Sequence, residues 1–325
     1  MATLSDFSKT KVLVVGDLML DRYWWGRVER ISPEAPVPVV RLERMTIAPG
    51  GAANVALNIA SLGGIPILIS TIGHDPEGQE LVAAIEARGV SGGDLISLTD
   101  RKTSVKTRIV AHSQQVVRVD NEETDDLAEH QTEALIEQVD RNVKQADLII
   151  ISDYAKGTLS ETLIRHLISS AKNTGKAVLV DPKGKDYQKY AGATLLTPNR
   201  REAAEACKLE ESSPDMVLNA GRMLLNLNNL EFENVLITEG ENGMTLFSKE
   251  SEPFHLEASV HKVYDVTGAG DSVIACLGVA MAANFPVEDA CRFANIAGGI
   301  SVQQLGTHAV TFDSLQDVAA KEGLF

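Results

Sequence analysis

The chain has 325 residues, 44% hydrophobic and 23% charged, enough for two average domains or one large α/β domain with an appendage. Its net charge of −15 argues against nucleic acid and anionic membranes as partners, so an anionic ligand must be met by local cations or backbone N–H groups. Cys207, Cys276 and Cys291 form no CxxC pair, the seven histidines show no HxxxH or HExxH spacing, and no apolar run reaches the ~18 residues of a membrane span; a disulfide framework, a structural zinc site, histidine–metal catalysis and a membrane protein all lack support. Residues 1–10 are polar and carry no apolar signal core, so a cytoplasmic location is expected.

Residues 11–16 (KVLVVG) read as a buried strand, with Asp17 and Asp21 at its carboxyl end. Residues 22–46 differ in character: Tyr23, Trp24 and Trp25, then prolines at 33, 36 and 38, then alternation around Val37 and Val39. Residues 104–120 are similar, with a turn expected near 112–114. Together these stretches predict a small β lid of short exposed strands over the sheet's active edge, or ordinary edge hairpins. Between them, a helix is expected from Gly50-Gly51-Ala52-Ala53-Asn54 to about 62, a strand over 66–71, and a helix over 77–88 ended by Gly89. From 128 the alternation is regular. Helices are expected near 128–144, 160–174, 200 onward, 214–228, 271–283, 287–304 and after 311. Strands are expected over 147–152, 177–181, 194–197, 234–238, 244–247 and 254–263. Alternating strands and helices predict an α/β fold, one mostly parallel sheet covered on both faces, with the lid inserted in a single domain over 1–325.

The stretch Asp265-Val266-Thr267-Gly268-Ala269-Gly270-Asp271 precedes a nearly all-apolar helix. Glycines before a helix leave its first N–H groups bare, and those groups with the helix dipole attract an anion. Asp271 beside such a site could take a proton from an attacking hydroxyl, the core of a kinase, or could simply cap the helix. Four further sites stand at strand ends. Asp17 and Asp21 could accept from sugar hydroxyls or serve as turn residues. Gly50, Gly51 and Asn54 could hold a diol or allow tight helix packing. Asn199 and Glu202, at i and i+3, could orient phosphate-bound Mg²⁺ through water or cap a helix. Thr238, Gly240 and Gly243 could admit nucleotide phosphates or form a hairpin turn. The GxxxxGK[ST] pattern, the protein-kinase HRD and DFG set and the strand-one GxGxxG pattern are all absent.

In this order, the pair Gly50 and Gly51 with Asn54, the N-x-x-E of Asn199 to Glu202, and the 265–271 stretch resemble the ribokinase-like (PfkB) carbohydrate kinase family over nearly the whole chain. The resemblance implies a ribokinase-like fold, ATP and Mg²⁺ as cofactors, and K⁺ in some members. It makes Asp271 the base, with Gly268, Ala269 and Gly270 as the anion hole. Asp21, Asn54 and the glycine pair would hold the sugar, with Asp21 matching better than Asp17. Asn199 and Glu202 would serve the phosphate–Mg²⁺ end, and Thr238, Gly240, Gly243 and Asn295 would line the nucleotide. Asp265 and the Thr267 carbonyl would match a monovalent-cation site. Val266 departs from the common threonine at a position where only the carbonyl matters. The stretches 21–26, 30–39 and 114–120 are similar to the branch that phosphorylates a heptose 7-phosphate on its 1-hydroxyl, often fused to an adenylyltransferase; no second nucleotide-binding pattern follows in this chain. Lys183 and Arg108, then Lys185, Lys106 and Arg118, are the candidates for the acceptor's own phosphate. The alternatives are another sugar or nucleoside kinase of the family, or an inactive nucleotide-binding scaffold. A homodimer through the lid is implied as well. Asp271, at a helix N-terminus, is expected to be ionised and only weakly basic.

Overall fold

The computed structural model describes residues 4–112, 114–226, 230–249, 251–259, 263–304 and 306–324. The first half contains β1 (Lys11–Gly16), β2 (Leu18–Ile31), β3 (Pro38–Gly51), α1 (Ala52–Ser61), β4 (Ile65–Gly73), α2 (Pro76–Glu86), β5 (Leu95–Leu98), β6 (Val105–Ala111), β7 (Gln114–Asn121), α3 (Glu129–Asn142) and β8 (Leu148–Ser152). The second half contains α4 (Glu161–Thr174), β9 (Ala177–Asp181), β10 (Leu195–Leu196), α5 (Arg200–Cys207), α6 (Met216–Asn226), β11 (Asn234–Thr238), β12 (Met244–Ser248), β13 (Phe254–Leu256), α7 (Ala269–Ala282), α8 (Val287–Ser301) and α9 (Phe312–Lys321).

Nine strands form the main sheet in the order β13-β12-β11-β10-β9-β8-β1-β4-β5, all running the same way except β12, which is antiparallel to both β11 and β13 at one edge. Its central strands read as continuous apolar runs because both faces are covered. Val12, Val14 and Ile150 join a core with α1, α2 and α7 to α9, while Leu13, Val15, Ile149 and Ile151 join a second core with α3 to α6. Close packing at the sheet centre depends on Gly16: a Cβ there would lie 2.2 Å from the Ser152 carbonyl oxygen.

The second sheet has the order β3-β2-β6-β7. Its first two strands are not short, as expected, but 14 residues each. The cause is that β2 continues β1 after one residue, Asp17, and starts in the core with Leu18, Met19 and Leu20 buried, while β3 runs directly into α1. The prolines at 33 and 36 fall in the connection between the strands, and Pro38 opens β3, where a missing N–H costs little. β5 was not anticipated: four residues after Gly92-Gly93 carry too little periodicity. The strand expected over 254–263 shrinks to Phe254–Leu256, and residues 260–262 of that expectation lie outside the described residues, as does Ser113 in the expected 112–114 turn. Helix α7 begins two residues earlier than expected, so Asp271 stands inside its first turn and makes no side-chain cap.

Candidate active site

Helices α1 and α7 pack side by side and bring Asn54 to Asp271 across 217 residues of sequence. Gly268 precedes α7 with φ 79°, and a Cβ there would sit 2.7 Å from the Asn54 amide nitrogen. The glycine is thus required both for backbone conformation and for space. Asn54 Nδ2 donates to Asp271 Oδ2 at 2.8 Å, and the Tyr154 hydroxyl donates to Oδ1 at 2.7 Å. Asn58 donates to the Asn54 carbonyl and side-chain oxygens, which orients the amide with its nitrogen toward Asp271. Asn58 is itself fixed by accepting from Ser272 Oγ and the Val310 N–H.

Burial pushes the Asp271 carboxyl up to about 6, against the lowering effect of the Asn54 and Tyr154 hydrogen bonds. The carboxyl is thus more basic than the helix N-terminus alone leads one to expect, because Asp271 is only 2% exposed. A carboxylate of that basicity is ionised at neutral pH yet accepts a proton more readily than a surface aspartate.

The backbone N–H groups at the start of α7 differ in what they meet. The Ala269 N–H donates to the Val266 carbonyl at 3.2 Å. The N–H groups of Gly270 and Asp271, at positions two and three of α7, have no intrahelical acceptor to meet. Gly270 faces open space where a side chain would stand.

Asp17 and Asp21 separate into different roles. Asp17 is buried and accepts from the backbone N–H groups of Tyr154, Lys156 and Thr158 at 2.9, 3.1 and 3.1 Å. All three anchor the loop after β8, so Asp17 shapes the site through Tyr154. Asp21 is also buried and pairs with Arg108 from β6. Burial raises the Asp21 carboxyl and Arg108 draws it back. Gly50 gives the Asp21 carboxylate room, since an added Cβ would lie 2.6 Å from its Oδ2, while Gly51 makes room for the Asp17 backbone, whose carbonyl oxygen would be 2.4 Å from an added Cβ.

At the carboxyl ends of β9 to β11, a cavity of about 600 Å³ is lined by Asp181, Lys183, Asn199, Glu202, Gly268 and Gly270 among others. Asn199 and Glu202 form a capping box at the start of α5, and Lys183 Nζ reaches Glu202 at 2.7 Å. Lys183 therefore stands at the cavity of the N-x-x-E residues rather than beside Arg108, because the end of β9 abuts the start of α5. Lys185 is exposed nearby. An adjoining cavity of about 180 Å³ is lined by Thr238, Gly240, Gly243 and Asn295, with apolar walls from Met244, Val266 and Val302. The Asn295 amide nitrogen donates to the Glu257 carbonyl at 2.7 Å. On the other side, Arg108, Asp265 and Thr267 line a cavity of about 580 Å³ under the second sheet. Asp265 accepts from Thr267 N and Oγ1 and from Gly306 N, at 2.9, 2.7 and 2.9 Å.

Sequence reasoning missed Tyr154 and Asp181. Tyr154 follows β8 by two residues, a position that the strand-end rule marks without saying that its hydroxyl would reach Asp271. Asp181 ends β9 and faces Asp271, Glu202 and Lys183; burial first, then Asp271 and Glu202, raise its carboxyl well above the usual range.

A carboxylate held to accept a proton, with free N–H groups of a helix start beside it, suits phosphoryl transfer onto a bound hydroxyl and sets the molecule among small-molecule kinases. The chain belongs to the pfkB family of carbohydrate kinases, which it matches over residues 9–313; it is a sugar kinase, a phosphotransferase. It is 45% identical over 324 residues to the "Bifunctional protein HldE" of Shewanella piezotolerans, covering 98% of this chain and 66% of that protein. The protein of the same name from Caulobacter sp. is 43% identical over 316 residues, 97% of this chain and 64% of that one. The chain thus spans about two thirds of the length of these relatives. Among solved structures, phosphofructokinase-2 of Escherichia coli in complex with potassium superposes with a TM-score of 0.80 at 23% identity, covering 97% and 99% of the two chains. Ribokinase of Arabidopsis thaliana complexed with ribose and ATP gives 0.76 at 19%, covering 95% and 98%. Both confirm the ribokinase-like fold.

Proposed function

We propose that this chain catalyses ATP-dependent phosphorylation of D-glycero-β-D-manno-heptose 7-phosphate on its 1-hydroxyl, giving the 1,7-bisphosphate for ADP-heptose and lipopolysaccharide-core synthesis in the cytoplasm. The observation that carries the acceptor is the placement of the three particular stretches, 21–26, 30–39 and 114–120: all lie in or at the ends of the second sheet, whose Arg108 closes on Asp21 at the site. In this reading the sheet is the lid.

Asp271 orients the acceptor hydroxyl and takes its proton late, since a carboxyl near 6 cannot ionise a sugar hydroxyl beforehand. Asn54 and Tyr154 hold the carboxylate still. The Gly270 and Asp271 N–H groups face the charge that develops on the transferring phosphoryl group. Thr238, Gly240, Gly243 and Asn295 line the nucleotide. Among the described residues no cluster of three or more His, Cys, Asp or Glu side chains could hold a metal ion alone. Asn199, Glu202 and Asp181 instead supply oxygen donors of the kind that hold Mg²⁺ through water beside nucleotide phosphates. Mg²⁺ would there neutralise phosphate charge. The donor shell of Asp265 adds no support for K⁺ at Asp265 and Thr267, and no step depends on it.

The outer face of the lid exposes Met45, Val117 and Val119, consistent with a homodimer through that face. The test of function is ADP release with ATP, Mg²⁺ and the heptose phosphate, for wild type and Asp271→Asn. A 1,7-bisphosphate formed only by the wild type supports substrate and base together. Turnover of ribose or fructose 6-phosphate instead removes the heptose assignment, and ATP binding without turnover of any sugar favours a scaffold.

A further inference from the structure

Side-chain alternation places a defined set of residues on one face of the lid. Register pairs Asp21 with Lys106, Tyr23 with Arg108, and Trp25 with both Val110 and Arg44; β7 adds Asp120, Arg118 and Gln115 opposite Lys106, Arg108 and Val110. Residues opposite one another share a face of the sheet, and so do alternate residues along a strand. Arg44, Lys106, Arg108 and Arg118 therefore gather on the same face as Asp21 and Asp120, in a chain whose net charge is −15. That face meets the site: the Lys106 ammonium stands 6.0 Å from the Tyr154 ring centre, and Tyr154 donates to Asp271.

The two ends of this face differ. Near the base, Asp21 and Asp120 take Arg108 and Arg118. Farther out, Tyr23 and Trp25 stack with centroids 5.6 Å apart, and the Arg108 and Arg44 guanidinium groups lie over them at 5.3 and 4.9 Å. Arg44 has no ion-pair partner among the described residues; its neighbour Glu43 is taken by Arg27 at 2.9 Å. The Tyr23 hydroxyl is buried and has no hydrogen-bond partner among the described residues. Tyr23, Trp25, Arg44, Arg108, His112 and Gln115 all line the cavity of about 580 Å³. A strand advances about 3.3 Å per residue, so the register from Lys106 to Val110 spans about 13 Å, room for an extended sugar whose reacting hydroxyl is at Asp271.

We infer that this outer cavity is the seat of the acceptor's own phosphate, with Arg44 as its principal free cation, its guanidinium braced on Trp25, and Arg108 beside it. The inference rests on the reading of the chain as a kinase of a phosphorylated sugar, and it moves the phosphate away from Lys183. A guanidinium offers two parallel donors to phosphate oxygens, and a stacked one is already oriented to do so.

The test is calorimetric binding of heptose 7-phosphate and of the unphosphorylated heptose to the full chain as wild type, Arg44→Ala and Arg44→Lys, with thermal unfolding as a fold check. The Ala variant is expected to lose roughly tenfold or more in its preference for the phosphorylated sugar, as removal of a charge-assisted hydrogen bond should, and the Lys variant to recover part of it. An unchanged preference in Arg44→Ala, or equal losses for both sugars, overturns the inference. If the wild type acts on another sugar phosphate instead, the heptose reading falls while the same ratio, measured with that sugar and its unphosphorylated parent, still decides the seat. A wild type that accepts only unphosphorylated sugars sinks the seat itself.

Discussion

The Tyr154 hydroxyl donates to Oδ1 of Asp271 at 2.7 Å, while Asn54 occupies the other oxygen. A hydrogen bond to the charged form of an acid lowers its pKa, so Tyr154→Phe should raise the Asp271 carboxyl above its present value of about 6. In the proposed mechanism, activity needs the ionised form. The acid limb of the kcat profile should therefore move to higher pH in the variant, and kcat at neutral pH should fall by about tenfold, the scale of one bond to a charged group. A pH profile that is lowered but not displaced would show that Tyr154 acts only as packing.

Replacing the proposed base, Asp271, separates catalysis from stability. Asp271→Asn should lower kcat by roughly 10² to 10⁴, the usual range for a general base. Its effect on folding has the opposite sign. The folded-state pKa of about 6 lies above the ordinary 3.8, so the native state binds the proton more tightly than the unfolded chain. This contribution is fully present below about 3.8 and is lost as pH rises through about 6. The Asn variant escapes that loss. Its melting temperature should exceed the wild type's at pH 8, with the gap closing toward pH 5; the span of the shift sets a ceiling of about 3 kcal/mol.

Asp17 controls the same tyrosine from below. It holds three backbone N–H groups of the loop after β8, and Asp17→Ala would leave them without acceptors inside the protein. Each buried donor so abandoned costs about 1–3 kcal/mol, partly recovered if water enters. The variant should melt several degrees lower and also lose kcat, because Tyr154 would drift from Asp271. Asp17→Asn, which keeps one acceptor oxygen, should fall between. A full loss of sugar affinity with unchanged melting would instead return Asp17 to direct substrate binding.

The order of helices and strands was legible because the central strands β1, β8 and β9 are apolar runs rich in Val and Ile, and because some helices end in a marked residue, as α4 does at Gly175 in the left-handed conformation. The N-x-x-E and 265–271 motifs were legible because helix starts have local chemistry: Asn199 does cap α5. What escaped was non-local. No spacing rule brings Tyr154 to Asp271 across 117 residues, or tells that Asp17 faces a loop while Asp21 faces a cation. Lys183 looked like a free cation because Glu202 reaches it only once α5 has folded against the end of β9. The length of β2 and β3 escaped too, since exposed charges such as Arg27 and Glu29 mask a strand that begins in the core.

The Asp21–Arg108 pair yields the sharpest test of direct sugar contact. Asp21 is 3% exposed, and Arg108 is its ion-pair partner among the described residues. Arg108→Ala would leave a buried carboxylate without its ion-pair partner, with only the more distant charges of Lys106 and Arg118 near it, a change that costs up to about 3–5 kcal/mol. Burial, already the larger influence on Asp21, would then act unopposed by that neighbour and raise its pKa further. The double variant Asp21→Asn with Arg108→Gln removes both charges together. It should regain most of the lost stability, since a neutral hydrogen-bonded pair of similar shape needs far less desolvation. It should not regain turnover, because a neutral amide binds a sugar hydroxyl less strongly than a carboxylate does. Thermal unfolding and kcat/KM on the wild type, Asp21→Asn, Arg108→Gln and the double variant form a double-mutant cycle. Recovery of both quantities together would mean that the pair serves the fold alone.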